Sequence, residues 1–276
     1  MELVRFDGAS YPAWEVRHTG RVVGTASLGA GSAASAWHLR LQVEPGYRRR
    51  GIGSWLLATA TEAAREAGCL TLEAMVVRGS GGEGFAARYG AVVGDELIDA
   101  VLHLDRVDPA RLTRFTATVP DGYRLTGWCD PTPEPLVDSY ARVKRVISEA
   151  PNRFPPPMPD WTAAEVRRAE QRRREHGASM WVSACLCDEE VVAFTEVVTS
   201  ASPQGEQHDT GVAAAHRRQG LARCVKAHMI LRLRAERTDV RNLAVTYAAA
   251  NIGMHAVNRD LGFREHRRRD LVRLRI

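Results

Sequence analysis

Apolar and polar residues alternate with two periods along the chain, and these periods follow each other in the same order in both halves. Alternation at every second residue predicts strands, whereas an apolar residue at every third or fourth position predicts a helix. The first half is predicted to contain strands at 13–19, 21–29, 38–44 and 70–77, a helix at 51–67, a short helix before Tyr89 and a closing hairpin at 91–105.

The second half repeats this order. It is predicted to contain strands at 180–187, 190–199, 207–213 and 241–248, helices at 221–237 and 251–261, and a final pair of strands within 263–276. Such a repeat predicts two similar domains of the α/β (α+β) class. We place them at residues 1–110 and 111–276, joined near 106–120.

The second half also carries two helical stretches that the first half lacks, at 133–150 and 162–177. A proline-rich loop at 150–161 separates them and is expected to be rigid and lid-like. Asp160 or Thr162 is the expected cap of the second helix, because both side chains accept hydrogen bonds at a helix start. The second domain therefore has an additional pair of helices beside its sheet.

One short motif occurs twice, as YRRRGIG at 47–53 and HRRQGLA at 216–222, and we call these two loops the cradles. Each lies between an extended segment and an amphipathic helix. A helix start presents unpaired N–H groups and a partial positive charge, and glycine lets a phosphate approach the backbone. A basic surface turn would look similar, but two copies in the same context favour a pyrophosphate site. Neither copy matches the dinucleotide-binding or the Walker glycine pattern.

With VEPGYRRRGIG, GVAAAHRRQGLA and NIGMHAVNRDLGF (251–263), the chain resembles the GCN5-related N-acetyltransferase (GNAT) superfamily in tandem form. It looks most like actinobacterial two-domain members of the mycothiol synthase type. The resemblance implies a mixed, splayed sheet in each domain and acetyl-CoA bound between two diverging strands. It implies coenzyme contacts from Val212, Arg217, Arg218, Gln219, Gly220, Leu221, Ala222 and Asn251, and in the first domain from Val43, Arg48, Arg49, Arg50, Gly51, Ile52 and Gly53.

Acetyl transfer to an amine needs a base, because a free alkylamine is protonated near neutral pH. The family position for a basic carboxylate, at the start of the strand before the cradle, falls on Glu206. Glu196 and Asp209 are the alternatives. Strict alternation would place Glu206, His208 and Thr210 on one face of that strand, with Gln207 and Asp209 on the other.

The family tyrosine that protonates the leaving thiolate falls on Asn258, which cannot donate a proton in the usual way. Asn258 is expected to bond the sulfur or position a water, and Tyr247 and His255 are alternative acids. In the first domain the base and acid positions hold Trp37 and Ala86. We therefore expect the second domain to catalyse and the first to be structural, with coenzyme binding there left open.

Composition narrows the function classes further. No apolar run approaches the length of a membrane helix, and the first residues lack a signal-peptide core, so the expected compartment is the cytoplasm. The five cysteines form no metal-ligand set and are expected to be core thiols. A net charge of +5 does not come with a nucleic-acid-binding motif, and it also suits a polyanionic coenzyme.

The sequence thus predicts a cytoplasmic, metal-free N-acetyltransferase that uses acetyl-CoA and a small primary amine, such as an amino sugar, an amino acid derivative or an antibiotic. The alternatives are a protein or peptide N-acetyltransferase and a non-catalytic CoA-binding module. The expected assembly is a monomer or homodimer, without a nucleic-acid or membrane partner.

Overall fold

The computed structural model describes residues 1–7, 11–149 and 158–276. Within these ranges the chain forms twelve strands and seven α-helices. The strands are β1 (Glu2–Asp7), β2 (Pro12–His18), β3 (Arg21–Ala30), β4 (Ala36–Val43), β5 (Thr71–Val77), β6 (Val92–His103), β7 (Tyr123–Cys129), β8 (Ser179–Cys187), β9 (Glu190–Thr199), β10 (Gln204–Val212), β11 (Asn242–Ala248) and β12 (Arg264–Arg275). The helices are α1 (Ile52–Glu66), α2 (Gly81–Arg88), α3 (Pro109–Thr116), α4 (Val137–Lys144), α5 (Ala163–Glu175), α6 (Leu221–Glu236) and α7 (Ile252–Leu261).

The described residues pack as two units. The first unit comprises Met1–Leu97 and Arg268–Ile276, and the second comprises residues 98–149 and Met158–Arg267. The predicted domain boundary lies between residues 110 and 111. The packing units differ from it in two places, because residues 98–110 pack in the second unit and the last nine residues pack in the first. Neither unit is therefore one continuous stretch of sequence.

The first unit is built on a mixed sheet in the order β1-β2-β3-β4-β5-β12. Helix α1 covers one face and buries Leu56 and Ala60 against Trp14 and Val16. Gly24 on β3 allows this close approach, since a Cβ there would lie 2.8 Å from Ile52 Cγ2. The fit of α1 onto the sheet places the start of that helix beside the end of β4.

The second unit has a sheet in the order β6-β11-β10-β9-β8-β7. Strand β9 is buried on both faces and alternates between them. Phe194 points to the α4 side, where its ring meets Tyr140 edge to face with centroids 5.5 Å apart. Val197 points to the α6 side and belongs to the core that contains Ile230 and Leu233. Two helical layers therefore enclose the middle of this sheet.

The additional pair of helices is present, as α4 and α5, with α4 shorter than expected and flanked by 3₁₀ turns. Thr162 resolves the choice of cap, because its Oγ1 accepts the Glu165 N–H at 3.2 Å. Residues 150–157 of the proline-rich loop lie outside the described residues. None of the helices within the described ranges combines the length and apolar content needed to cross a bilayer.

Two predicted hairpins are wrong. Residues 91–105 contain the single twelve-residue strand β6, and the expected final pair is the single strand β12. Gly94-Asp95 within β6 is a dipeptide that can form a tight turn, yet the strand continues through it, and β12 contains no such dipeptide. Strand β1 and helix α3, which Asp108 caps through the Ala110 N–H, were not predicted at all.

Candidate functional site

In the second unit, strands β10 and β11 run parallel and then diverge. The described register pairs Gln204 through Gln207 with Asn242 through Val245, and β10 continues for five residues beyond that pairing. The first unit repeats this arrangement, since β4 pairs with β5 only from Ala36 to His38. Each unit thus opens a wedge between two parallel strands, next to its cradle.

A bulge interrupts β10 inside the wedge. Gln207 pairs with Val197 and Thr210 with Thr195, so His208 and Asp209 together oppose one residue, Glu196. The predicted strict alternation along β10 is therefore wrong. Thr210 Oγ1 and Gln207 Nε2 both bond Thr195 Oγ1, at 2.7 and 2.9 Å, which places them on the same face. The extra residue redirects Asp209 towards the α4 side of the sheet.

The second cradle leads from β10 into α6 through two left-handed residues, Arg218 at φ 62° and Gly220 at φ 79°. Around the missing Cβ of Gly220, the structure shows only the Arg223 guanidinium, at 4.0 Å. No side chain caps the first turn of α6. These open N–H groups suit the binding of a phosphate. The missing Cβ of Gly220 leaves room for a diphosphate.

The Arg217 side chain contacts both the end of β10 and a glutamate. Its Nε donates to the Val212 carbonyl at 3.1 Å, and its Nη2 pairs with Glu149 at 2.5 Å. The guanidinium therefore closes the loop back onto the end of β10. The loop is also fixed by a 2.8 Å hydrogen bond between His216 Nδ1 and Tyr123 Oη.

The first cradle has the same backbone. Arg49 and Gly51 are left-handed at φ 61° and 82°, and Arg48 Nε donates to the Val43 carbonyl at 3.0 Å. Apart from its chain neighbours, none of the described residues lies within 4 Å of the Cβ position of Gly51. Gly53 is more confined, because a Cβ there would lie 3.3 Å from Phe85. The repeated motif therefore specifies one loop conformation in both units.

On the α4 side of the second wedge lies a buried ionic cluster, which we define as Tyr140, Lys144, Glu196 and Asp209. The Glu196 side chain is 1% exposed and accepts hydrogen bonds from Tyr140 Oη and Lys144 Nζ. Burial, followed by the Glu196 charge, raises the pKa of Tyr140 well above its ordinary value, so the phenol remains a donor. Glu196 is thus enclosed by Tyr140 and Lys144.

Lys144 is surrounded by aromatic rings. Its Nζ lies 4.2 Å from the Trp161 ring centroid, 5.2 Å from that of Phe194 and 5.4 Å from that of Tyr140. Such rings stabilise an ammonium electrostatically. The cation is therefore held both by rings and by carboxylates, in a side chain that is 4% exposed.

Asp209 is the open member of the ionic cluster. Its Oδ2 lies 3.7 Å from Lys144 Nζ, and its side chain is 35% exposed. Burial and the Glu196 carboxylate raise the pKa of the Asp209 carboxyl, and Lys144 offsets them only in part. A carboxylate with a raised pKa is a stronger proton acceptor than an ordinary aspartate.

Glu206 lies where β10 and β11 are still paired, opposite Ala244. Its side chain is 69% exposed, and Oε2 is 3.9 Å from His208 Nε2. This carboxylate is open to solvent and lies outside the ionic cluster. Both Glu206 and Asp209 are thus accessible on β10, whereas Glu196 is enclosed.

The predicted residues in and around α7 differ in their contacts. Asn251 caps α7 by accepting the Met254 N–H at 3.1 Å. Asn258 is fully buried, and neither amide atom has a hydrogen-bond partner within the described residues. The alternative acids lie close together, with the Tyr247 and His255 ring centroids 5.8 Å apart.

Lys144 and Tyr140 were not predicted as site residues from the sequence. A signal was present, since Glu196 lies within the apolar strand EVVAFTEVVT and a buried carboxylate requires a partner. Tyr140 and Lys144 are four apart on one helix and therefore share a face. A lysine on the buried face of α4 is the partner that this carboxylate needs.

Comparisons with known proteins agree with this geometry. The chain matches the acetyltransferase (GNAT) family over residues 2–86 and 145–263. A tandem GNAT protein from the clavulanic acid biosynthesis pathway, solved without AcCoA, is 30% identical, with a TM-score of 0.77 over 96% of this chain and 83% of its own. None of the curated proteins compared matches the chain.

More distant structures share the fold. A GCN5-related N-acetyltransferase from Sphaerobacter thermophilus is 16% identical, with a TM-score of 0.72 over 96% of this chain and 81% of its own. A GCN5-related glucosamine N-acetyltransferase region of a fungal multi-domain β-N-acetylglucosaminidase is 15% identical, with a TM-score of 0.67 over 95% of this chain and 33% of its own.

Proposed function

The chain belongs to the GNAT family of acetyltransferases, as a tandem member and an acyltransferase, and from this premise we propose that it transfers acetyl from acetyl-CoA to the primary amine of a small molecule. The observation that carries the proposal is in the second unit. There a wedge between β10 and β11, an open cradle and an accessible carboxylate lie along one strand.

The residues present fit the coenzyme. Gly220 leaves space for a diphosphate, and the first turn of α6 offers uncapped N–H groups. Arg218 and Gln219 flank these groups, and Arg217 holds the loop in shape. Asn251 retains its amide NH₂ for the pantetheine arm while its oxygen caps α7. Acetyl-CoA supplies the activated acetyl group, and the protein supplies the binding site and the proton acceptor.

The acceptor reaches the site as an ammonium and must lose one proton to attack. We assign this proton to a carboxylate of β10, with Asp209 favoured over Glu206 because its surroundings strengthen it as a base. The amine nitrogen then bonds to the acetyl carbon and gives up a second proton, the carbon–sulfur bond breaks, and the thiolate takes up one proton. The net reaction converts amine and acetyl thioester into amide and free thiol.

Catalysis is assigned to the second unit. In the first unit the base position holds Trp37, whose ring packs edge to face on Tyr11 with centroids 5.2 Å apart. A packed indole accepts no proton, so the position that corresponds to Glu206 supplies no base in the first unit. Its intact cradle is compatible with a bound coenzyme in a structural role.

The test is release of free thiol from acetyl-CoA with a panel of small amines, compared for wild type, Asp209→Asn and Glu206→Gln. We expect turnover with at least one amine and a loss of kcat of about 10²-fold or more in Asp209→Asn. Acetylation of peptides but of no small amine would replace this proposal with the peptide alternative. Tight coenzyme binding without turnover on either panel would leave a binding module.

A further inference from the structure

We propose that Lys144 is a positioning residue that keeps the Asp209 carboxylate ionised and open to the acceptor amine, while it holds Glu196 closed. The inference rests on the proposed function for its chemical meaning. Its structural basis is the ionic cluster, in which one buried ammonium contacts two carboxylates of unequal exposure.

The unequal exposure separates the roles of the two carboxylates. Glu196 is enclosed and receives both a phenol and an ammonium hydrogen bond. The contact between Asp209 Oδ2 and Lys144 Nζ is longer, at 3.7 Å, and about a third of the Asp209 side chain is exposed to solvent. One positive charge is therefore shared between two negative ones, and the remaining negative charge lies on the open side. An acceptor ammonium would meet that charge at Asp209.

The groups that face Asp209 come from several elements. Lys144 approaches from α4, Glu196 from β9, and His208 is its neighbour on β10. The 3₁₀ turn after α4 carries Arg145, which bonds the Trp161 carbonyl, and Glu149, which pairs with Arg217. Those two charges are thus engaged elsewhere. Lys144 favours ionised Asp209, whereas Glu196 opposes it.

This arrangement predicts opposite effects for two substitutions in one cluster. Lys144→Met removes the stabilising charge, so Asp209 should titrate at a higher pH. Glu196→Gln removes the opposing charge and leaves Lys144 to Asp209, so Asp209 should titrate at a lower pH. For Lys144, whose Nζ lies 3.7 Å from Asp209 Oδ2 at a partly exposed site, the shift should be about one pH unit, and the Glu196 shift should have the opposite sign. If Lys144 and Glu196 did not act on Asp209, neither substitution would move its titration.

The primary measurement is a carbon NMR titration of protein labelled at the aspartate carboxyl carbon, without coenzyme, with the signal assigned by its loss in Asp209→Asn. Glu190→Gln is the matched control, because Glu190 forms an exposed ion pair between the same two elements through Arg142. It should leave the titration unmoved. If Lys144→Met does not fold, two variants still test the inference. Glu196→Gln should lower the pH at which Asp209 titrates, and the charge-balanced double variant Lys144→Met/Glu196→Gln should titrate near wild type.

A second readout is the pH dependence of kcat/KM, whose acidic limb should move in the same directions as the titration. Unmoved titrations in the Lys144→Met and Glu196→Gln variants would overturn the inference whatever the activity. Full turnover by Asp209→Asn would also overturn it, while the acetyltransferase proposal would stand. Conversely, if the two variants shift the Asp209 titration as expected but the wild type acetylates no amine, only the proposed function would be overturned.

Discussion

Lys226 should destabilise the second unit, because it is a buried cation without a hydrogen-bond acceptor or carboxylate beside it in the described part of the chain. It lies on α6, is 1% exposed, and its Nζ has no hydrogen-bond partner within the described residues. The nearest ring is that of Phe263, with its centroid 5.2 Å away. Burial lowers the pKa of Lys226 from 10.5 to about 7. We therefore expect Lys226→Met, which keeps the volume and removes the charge, to be more stable than wild type.

The magnitude and its pH dependence follow from linkage. Lowering the pKa by this amount corresponds to about 5 kcal/mol of disfavoured charge. Between about pH 7 and 10.5 the unfolded chain holds a proton that the folded chain has released, so wild-type stability rises with pH in that window. The advantage of Lys226→Met should thus be about 5 kcal/mol at pH 6 and about 2 kcal/mol at pH 9.

Urea unfolding at pH 6 and pH 9 measures this difference, and Lys144→Met is its matched control. Lys144 is another buried helix lysine, but it has carboxylate partners, so its removal leaves Glu196 uncompensated and should destabilise by about 3–5 kcal/mol. If Lys226→Met were as destabilising as Lys144→Met at both pH values, Lys226 would have a partner in solution, and the reasoning would be refuted.

Three further predictions concern other sites. Gly220→Val should weaken CoA binding at least about tenfold in calorimetry, because a Cβ at φ 79° strains the backbone and narrows the cradle. The control is Gly177→Val, because Gly177 is also left-handed, at φ 66°, but lies after α5. This variant should lower stability and retain CoA binding. Burial would raise the pKa of Glu73, but bonds from Ser32 and Arg273 outweigh it and lower that pKa. Glu73→Gln should therefore be about 2 kcal/mol less stable than wild type at pH 7. As the pH falls below about 4.5, wild type loses the stabilising carboxylate and the variant does not, so the difference in thermal melts should shrink. Thr162→Ala should cost about 1 kcal/mol in urea unfolding and Thr162→Ser almost nothing, because serine retains the cap.

The cradles could be predicted from the sequence because their information is local. Left-handed backbone at Gly51 and Gly220, followed by an amphipathic helix, is specified within a few residues. The repeated order of strands and helices was predictable for the same reason. Recognition of the family followed from these two features, and the matched residues confirm it.

The extent of β6 and β12 was not predictable in this way. A hairpin was expected where two strands of ordinary length would fit, yet each segment is one strand of twelve residues. Alternation within a strand gives the same pattern on either side of a possible turn, so periodicity alone cannot distinguish the two cases. The pairing partners decide, and these lie far away in sequence, as Arg273 opposite Glu73 illustrates.

The chemistry of the wedge depends on features that no local pattern encodes. The bulge at His208 and Asp209 arises from how β10 pairs with β9, and without it Asp209 would share a face with Gln207. Instead, Asp209 points towards Lys144, which lies 65 positions earlier in the chain. The sequence therefore suggests three acidic candidates with equal chemistry, and packing makes them unequal. Glu196 is enclosed, Glu206 is solvated, and Asp209 lies between these extremes, where a carboxylate is both reachable and strengthened as a base.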